Sequence, residues 1–396
     1  MRRSTIVLRV SPTLTIALAA LGIVLALGVA TWLHLRYWVQ KFAVPLEYES
    51  VERIALADGG AIELRRLARQ AGDLLEDAAA SDTAASDSAL RETASALGPL
   101  PPVLIVHGIG ANHRNFDLAG DRSLARVLSA AGRDVWLVTL RSALVTRARL
   151  MRFDAMVAHD LPAAARTIRA RTGSATIDYV GFSMGGMLLY AALGRTLPVV
   201  EVRRAAFVGS PGRIELPLAA LGVLRFLPRW LIPRLRLRAL SRMIAFAAEW
   251  VPSTPLHHIV YNPRNMPRGV AAAALVNMVE DLPGPLLADF AAWAFGDGEI
   301  RVAGERALDG LRSVQVPVLF VAGGADGLAP PSAVRAAYDA WGADLPTFTQ
   351  KALHVVCIAS GASADYGHGD LAIGTEVGRE VFGPVVAFLD APAIKL

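Results

Sequence analysis

The chain has 396 residues, of which 54% are hydrophobic and 19% are charged, with a formal net charge of +5. This composition excludes an intrinsically disordered protein and suits a folded chain that associates with a membrane. The positive charge comes mostly from arginine, and no dense basic tract carries interleaved aromatic residues, so we expect no nucleic-acid partner. The single cysteine, Cys357, excludes an intrachain disulfide, and because it stands in an apolar run we expect it in the core.

Residues 1–44 predict a membrane segment. The sequence is uncharged and mostly apolar from Val10 to Leu35, with basic residues on both sides. A run of this length crosses a bilayer as a helix, and aromatic residues follow where an interfacial belt would stand: Trp32, Tyr37 and Trp38. The alternative is a cleaved signal peptide, because residues 28–30 are small. The apolar run continues past that point, which favours an uncleaved anchor, and a slight excess of positive charge before it favours a cytoplasmic N-terminus.

Residues 45–210 and 312–396 predict one α/β core. Near its start, residues 49–57 and 61–67 flank Asp58-Gly59-Gly60, a sequence typical of the turn of a β-hairpin. Residues 71–98 are rich in alanine, serine and aspartate, so we expect a flexible insertion there.

Short apolar runs continue the core. Residues 103–106 predict a buried strand that ends at His107-Gly108-Ile109-Gly110. Residues 123–131 predict a helix, residues 134–140 a further strand, and a helix from about Phe153 to Arg171 follows. On that last helix we expect His159-Asp160 to be a surface or capping pair.

Around Ser183 the sequence predicts a sharp turn from a strand to a helix. The apolar run 175–180 is typical of a buried parallel strand, and a helix-forming run, 187–193, follows it. The backbone N–H of Met184, at the helix N-terminus, points to the same spot as the Ser183 hydroxyl and favours developing negative charge there. The flanking residues lack Cβ atoms that would clash in such a turn: Gly181 and Gly185. The pattern predicts a nucleophilic serine, and the alternative is a glycine-rich turn that happens to contain serine.

Residues 211–311 break the alternation of strands and helices and predict a helical cap over this edge of the sheet. The segment is rich in proline, tryptophan and leucine. It carries six arginines with no acidic residue between them: Arg225, Arg229, Arg234, Arg236, Arg238 and Arg242. This composition suits a surface that lies on a membrane and admits lipid, and equally an ordinary cap with snorkelling arginines. His257 and His258 have no acidic or cysteine partner at ligand spacing, so we expect no metal there.

Asp326 and His368 are the candidate partners of Ser183. Asp326 follows a predicted strand, 316–322, at whose end a carboxylate is well placed to orient a histidine; the alternative is a turn-forming aspartate. His368 stands in a loop before the final helix, and the glycines on both sides let its imidazole reach across. His354 is the rival base, but it falls within an apolar strand pattern and has no loop to move it.

These motifs, HGIG, GFSMG, GGADGLAP and YGHGD, resemble the α/β-hydrolase superfamily in their order of serine, aspartate and histidine. Parts of the core are similar to the acid lipases of the gastric and lysosomal type: His107-Gly108 with residues 123–140, residues 153–162, and residues 366–371. The resemblance covers most of 103–372 except the cap. It implies a mostly parallel sheet flanked by helices, with Ser183 as nucleophile, His368 as base and Asp326 as its orienting carboxylate.

The resemblance also implies an oxyanion hole formed by the backbone N–H groups of Met184 and Ile109. Gly108 and Gly110 would give the second donor's loop its freedom, and we expect His107 to support that loop. The function implied is hydrolysis of an apolar small-molecule or lipid ester through an acyl-enzyme, with no metal or organic cofactor. Two alternatives remain, namely an acyltransferase on the same fold and a non-catalytic, membrane-tethered binding protein.

Overall fold

The computed structural model describes residues 11–67, 100–120, 122–144, 150–215, 231–248, 250 and 255–392. Ten strands occur within these residues. Their bounds are β1 Ser50–Ala55, β2 Ala61–Leu67, β3 Val103–Val106, β4 Val135–Thr139, β5 Ile177–Phe182, β6 Val202–Val208, β7 Arg301–Val302, β8 Glu305–Arg306, β9 Val318–Gly323 and β10 Lys351–Val356. β7 and β8 pair only with each other, and the other eight form one sheet in the order β1-β2-β4-β3-β5-β6-β9-β10.

The sheet is mostly parallel, as the sequence predicted. All neighbouring pairs from β4 to β10 are parallel, while β2 runs antiparallel to β1 and to β4. Strands buried on both faces need no polar alternation, which explains the continuous apolar runs of β3 and β5. Because the parallel strands share one direction, the loops that follow β3, β5 and β9 meet at one edge of the sheet.

Helices cover both faces of the sheet. The core helices are Leu124–Ala130, Phe153–Ala155, Leu161–Thr172, Met184–Ala192, Pro331–Ala340, Asp370–Ile373 and Gly383–Asp390. Successive residues of a strand belong to different apolar clusters, as Tyr179 and Val180 do on β5 and Phe320 and Val321 do on β9. Successive side chains of a strand point to opposite faces, so each cluster fills one face of the sheet.

The predicted β-hairpin is confirmed. β1 and β2 pair antiparallel from Ser50↔Arg66 to Ala55↔Ala61. Gly59 has a φ of +82°, which suits glycine, and Asp58 Oδ1 accepts a hydrogen bond from the N–H of Gly60 at 3.0 Å. The insertion predicted at 71–98 lies outside the described residues.

The helix predicted from about Phe153 to Arg171 is interrupted by a π-helical turn, Met156–Asp160. Pro162 follows at the start of Leu161–Thr172 and has no N–H to donate to the preceding turn. A second π-helical turn, Gly378–Phe382, likewise precedes a helix whose first turn contains a proline. In both places a wide turn accommodates the missing backbone hydrogen bond.

Two minor expectations about burial are wrong. Asp160 is fully buried, because Arg141 Nε donates to its Oδ1 at 2.6 Å and the backbone N–H of Arg141 to its Oδ2 at 3.1 Å. Cys357 is half-buried rather than in the core, because it directly follows β10 at the open edge of the sheet. Its sulfur lies 3.5 Å from the hydroxyl of Ser360.

An N-terminal helix, Pro12–Phe42, is long and apolar enough to serve as a membrane anchor or as a signal sequence. Ser11 caps it by accepting from the N–H of Leu14, and Pro12 suits the first turn, where its missing donor costs nothing. The side chains of residues 11–33 are all exposed, whereas one side of the last turns is half-buried against the rest of the protein. Four helices occupy the described part of the segment between β6 and β9: Leu237–Ile244, Pro255–Val260, Val270–Asn277 and Gly284–Ala294.

Candidate active site

Ser183 occupies a strained turn between β5 and the helix Met184–Ala192. Its backbone angles are φ +52° and ψ −119°, a region that L-residues with a side chain rarely adopt. The N–H of Ser183 donates to the carbonyl of Val208 at 2.9 Å, which ties the turn to the end of β6. The residue is half-buried at the carboxyl end of β5.

The glycines around Ser183 are required by close backbone approach. A Cβ added at Gly181 would lie 2.5 Å from the backbone nitrogen of Gly186, and one at Gly185 would overlap the carbonyl oxygen of Val106. Neither neighbour is a flexible side chain that could move away. The turn therefore brings the elbow helix against the end of β3 only because both positions lack a side chain.

Asp326 and His368 are hydrogen-bonded to each other at the same edge of the sheet. Asp326 Oδ2 lies 2.7 Å from His368 Nδ1, and both side chains are buried. The other carboxylate oxygen, Oδ1, accepts from the N–H groups of Leu328 at 2.8 Å and Ala329 at 2.7 Å. Two backbone donors on one oxygen fix the carboxylate, so its free oxygen is directed at the imidazole.

The imidazole of His368 stands beside the Ser183 turn. Its ring centroid lies 4.9 Å from that of Phe182, the residue directly before Ser183. A Cβ added at Gly209, which follows β6, would lie 3.2 Å from the Cε1 atom of His368. The structure thus brings Ser183, Asp326 and His368, which are far apart in the sequence, to one end of three neighbouring strands.

The loop that carries His368 is fastened by Asp370. Its carboxylate accepts from the N–H of Gly367 at 3.0 Å, from the N–H of Asn262 at 2.9 Å and from Asn265 Nδ2 at 3.1 Å. Burial raises the pKa of Asp370, and these hydrogen bonds act against that rise. Sequence reasoning did not single out this residue; an aspartate directly beyond a glycine-flanked histidine was the available signal.

His107 supports the loop after β3. The backbone N–H of Leu140 donates to Nε2 of His107 at 3.0 Å, so the ring proton lies on Nδ1, which is 2.7 Å from the carbonyl oxygen of Gly108. Burial lowers the pKa of His107 to about 4, although the bond to Gly108 acts in the opposite direction. Both ring nitrogens are engaged, which suits a structural role.

We expect thermal stability to fall as the pH is lowered below the ordinary pKa of histidine, partly through His107. The unfolded chain binds a proton at this residue below about pH 6.5, whereas the folded protein does so only near pH 4. The unfolded state therefore binds more protons in this interval, and the complete effect is about 3 kcal/mol of lost folding free energy. Melting temperatures at about pH 7 and about pH 5 measure the loss. The drop should be smaller in His107→Asn, which keeps a donor for Gly108; an equal drop in both proteins would assign the effect to another group.

Ile109 lies in the loop after β3 and Met184 directly follows Ser183, and neither backbone N–H has a hydrogen-bond partner among the described residues. A Cβ added at Gly108 would lie 3.1 Å from the Cβ of Ser183, so the loop after β3 touches the turn. The loop is held from inside the core by Asn115, whose Oδ1 accepts from the N–H of Gly108 at 3.1 Å.

The segment before β9 holds the same loop from the other side. The N–H of Glu280 donates to the carbonyl of Gly110 at 2.8 Å, and Asn112 Nδ2 donates to Glu280 Oε1 at 2.9 Å. Asn277 continues the network to the foot of the N-terminal helix, because its Nδ2 donates to the carbonyl of Phe42 at 2.8 Å. Sequence reasoning missed these residues, since each contact joins positions more than a hundred residues apart.

His354 lies apart from Asp326. It is paired with Val321 in the middle of β9, and its Nε2 is 3.3 Å from the carbonyl oxygen of Glu380. Within the described residues, no group of three or more histidine, cysteine, aspartate or glutamate side chains is arranged to hold a metal ion.

Comparison with known proteins agrees with this fold. Residues 101–361 match the family model described as the alpha/beta hydrolase fold. A solved structure of a thermophilic esterase from Thermogutta terrifontis shares the fold, with a TM-score of 0.52 and 17% identity over 86% of this chain and 98% of that one. An esterase from Exiguobacterium antarcticum also shares it, with a TM-score of 0.52 and 14% identity over 86% of this chain and 100% of that one.

Curated proteins resemble a smaller part of the chain. Human gastric triacylglycerol lipase is 28% identical over 145 residues, which are 33% of this chain and 36% of the lipase. Human lysosomal acid lipase/cholesteryl ester hydrolase is 31% identical over 150 residues, 33% of this chain and 37% of that protein. The matched part thus spans about a third of these relatives' length. The family match, in contrast, covers about two thirds of the chain and includes β3, the Ser183 turn and Asp326. The chain belongs to the α/β-hydrolase fold family.

Proposed function

We propose that the protein is a serine hydrolase that cleaves carboxylic esters through an acyl-enzyme. The observation that carries the proposal is the 2.7 Å hydrogen bond between Asp326 and His368 beside the strained turn of Ser183. A nucleophile, a base and a group that orients the base form the constellation that acyl transfer requires.

In the proposed mechanism, the Nδ1–H of His368 donates to Asp326, which leaves Nε2 to accept the proton of the Ser183 hydroxyl. The serine oxygen attacks the ester carbonyl, and the imidazolium then gives its proton to the departing alcohol. A water molecule, deprotonated by the same nitrogen, attacks the acyl-enzyme and releases the carboxylic acid. The N–H groups of Ile109 and Met184 stabilise the oxyanion in both steps, each contributing about 3 kcal/mol by analogy with comparable sites.

The proposed substrate is an apolar ester taken from a membrane. The names of the relatives refer to triacylglycerol and to cholesteryl esters, which are lipids. Residues 211–311 would form the cap. Two contacts of this segment with the candidate site support a cap. The N–H of Gly369, next to His368, donates to the carbonyl of Val260 at 2.6 Å, and the side chain of Leu282 lies against Gly110.

We further propose that the N-terminal helix is an uncleaved anchor. His34 packs edge-to-face on Phe246 with ring centroids 4.6 Å apart. The side-chain amide of Asn277 donates to the carbonyl of Phe42 and accepts from the N–H of Val44. These residues follow the alternative cleavage site at residues 28–30 and would remain after cleavage, so the support for an anchor is the apolar run itself, which continues past that site to Leu35. The mass of the purified protein tests this directly, because a chain that begins near residue 31 would contradict the anchor.

Hydrolysis of p-nitrophenyl esters with short, medium and long acyl chains tests the function. We expect the full chain in detergent to release p-nitrophenol and to be labelled by a fluorophosphonate, and we expect medium or long chains to be preferred. Transfer of the acyl group to an added alcohol in place of water would identify an acyltransferase. Absence of both p-nitrophenol release and labelling would contradict the hydrolase and favour a binding protein.

A further inference from the structure

The first described helix between β6 and β9, Leu237–Ile244, has its apolar face turned outward. Its buried side carries the small residues Ser241 and, one turn on, Ala245. The Ser241 hydroxyl donates to the carbonyl of Leu275 at 2.9 Å, which fixes this orientation. The outward side carries three large apolar side chains that are between 42% and 48% exposed: Leu240, Met243 and Ile244. A helix on a water-soluble protein normally buries such residues, so this orientation requires an apolar partner.

The apolar surface extends on both sides of this helix. Further large side chains are exposed before and after it, and Trp250 is 82% exposed. We define the apolar cap face as Leu231, Leu235, Leu240, Met243, Ile244, Phe246 and Trp250. Seven exposed large apolar side chains within residues 231–250 mark an interaction site, in contrast to single exposed apolar residues.

The apolar cap face lies beside the N-terminal helix at the level where that helix would leave a bilayer. The exposed residues 12–33 extend for about 33 Å, close to the thickness of the hydrocarbon layer. Directly after them, the rings of His34 and Trp38 lie 4.6 Å and 5.8 Å from the ring of Phe246. The cap face therefore begins where the membrane-spanning length of the helix ends.

The charge around the apolar cap face is positive. Arg234 and Arg236 precede the helix Leu237–Ile244, and Arg238 and Arg242 lie on it. Two acidic residues accompany them, since Arg234 pairs with Asp281 at 3.0 Å and Arg238 with Glu280 at 3.4 Å. Among the described residues around this helix, four arginines against two acids leave a positive excess at the level of the lipid headgroups, which attracts anionic lipids.

We propose that the apolar cap face rests in the interface of an anionic bilayer and opens the candidate site toward the membrane. Leu235 pairs with Leu282 through backbone hydrogen bonds of 2.9 and 3.0 Å, and Leu282 lies against Gly110, beside the N–H of Ile109. A lipid that enters along this face therefore meets the loop after β3 first. The inference rests on the proposed anchor and deepens the proposed function, but docking of the face does not depend on the ester chemistry.

A fluorescent label at position 240 tests the proposal. Cys357 is the only cysteine, so Cys357→Ser gives a background in which Leu240→Cys is labelled with an environment-sensitive nitrobenzoxadiazole. The matched control is Val200→Cys, which replaces an apolar residue that is 83% exposed. Val200 lies just before β6, at the amino end of the parallel strands, whereas the candidate site lies at their carboxyl end. The full chain is placed in nanodiscs of phosphatidylcholine and phosphatidylglycerol, with and without brominated acyl chains.

We expect brominated lipid to quench the label at position 240 severalfold more than the label at position 200, with blue-shifted emission only at 240. Equal quenching at the two positions would overturn the proposal. In a second measurement, Leu240→Asp with Met243→Asp should lower hydrolysis of a long-chain ester held in vesicles and spare a water-soluble ester, whereas Val200→Asp should spare both. A parent protein that cleaves neither ester contradicts the proposed function, and the quenching experiment still decides whether the face docks.

Discussion

Ser183→Ala and His368→Ala are each expected to lower kcat for p-nitrophenyl ester hydrolysis by on the order of 10⁵-fold, and the double variant is expected to lose little more. The serine oxygen forms the acyl-enzyme, and without the imidazole its proton has no acceptor in the buried site. Because the two groups act in one step, removal of either stops that step. Fluorophosphonate labelling should be absent from Ser183→Ala. Purified proteins of equal melting temperature make the comparison valid.

The matched control for the histidine is His354→Ala. His354 is half-buried on β10 and bonded to the carbonyl of Glu380, so its removal leaves the Asp326–His368 pair intact. We expect this variant to keep most of the parent activity. Loss of activity in His354→Ala with retention in His368→Ala would reverse the assignment of the base.

The elements near the candidate site could be predicted because their signals are local. β3, β5 and β9 are short apolar runs, and each ends in a motif whose glycines or aspartate mark a turn. The order of the motifs then places their residues at one edge of a parallel sheet. The pairing of Asp326 with His368 followed from the same argument, because Asp326 stands in the loop after β9 and His368 in the loop before the helix Asp370–Ile373.

The supporting contacts could not be predicted, because they join residues that are distant in the chain. Asn262 and Asn265 reach Asp370 across more than a hundred residues, and Glu280 reaches Asn112 across a larger gap. Nothing near an isolated asparagine indicates which carboxylate it will meet. The error at Asp160 arises over a shorter range, because its burial depends on Arg141, which lies 19 residues earlier and beyond the start of the helix.

The composition of the segment between β6 and β9 predicted a basic and apolar surface, but not which way it faces. In Leu237–Ile244 the apolar residues recur with helical spacing, a pattern that normally indicates a face turned toward the core. In this protein the orientation of the helix is reversed, because its small residue Ser241 packs against the helix Val270–Asn277 and the large apolar residues face outward. The reversed face places large apolar residues beside the N-terminal helix.

Asp326→Asn is expected to lower kcat by about 10⁴-fold while leaving KM nearly unchanged. The carbonyl oxygen of the new side chain should accept from the N–H groups of Leu328 and Ala329, as Oδ1 does in the parent. Its amide would then donate to Nδ1 of His368, which moves the ring proton to Nε2. An imidazole in that tautomer cannot accept the proton of Ser183, although the fold is preserved.

Asp370→Asn provides the matched control, because it removes the charge of another buried carboxylate next to the same histidine. Asp370 accepts three hydrogen bonds that hold the loop and none from the imidazole of His368. An amide there would turn a donor toward one of those N–H groups, so we expect a lower melting temperature and a much smaller loss of kcat. If the two variants lost kcat equally, or if Asp326→Asn stayed within about tenfold of the parent, Asp326 would not be the group that sets the tautomer of His368.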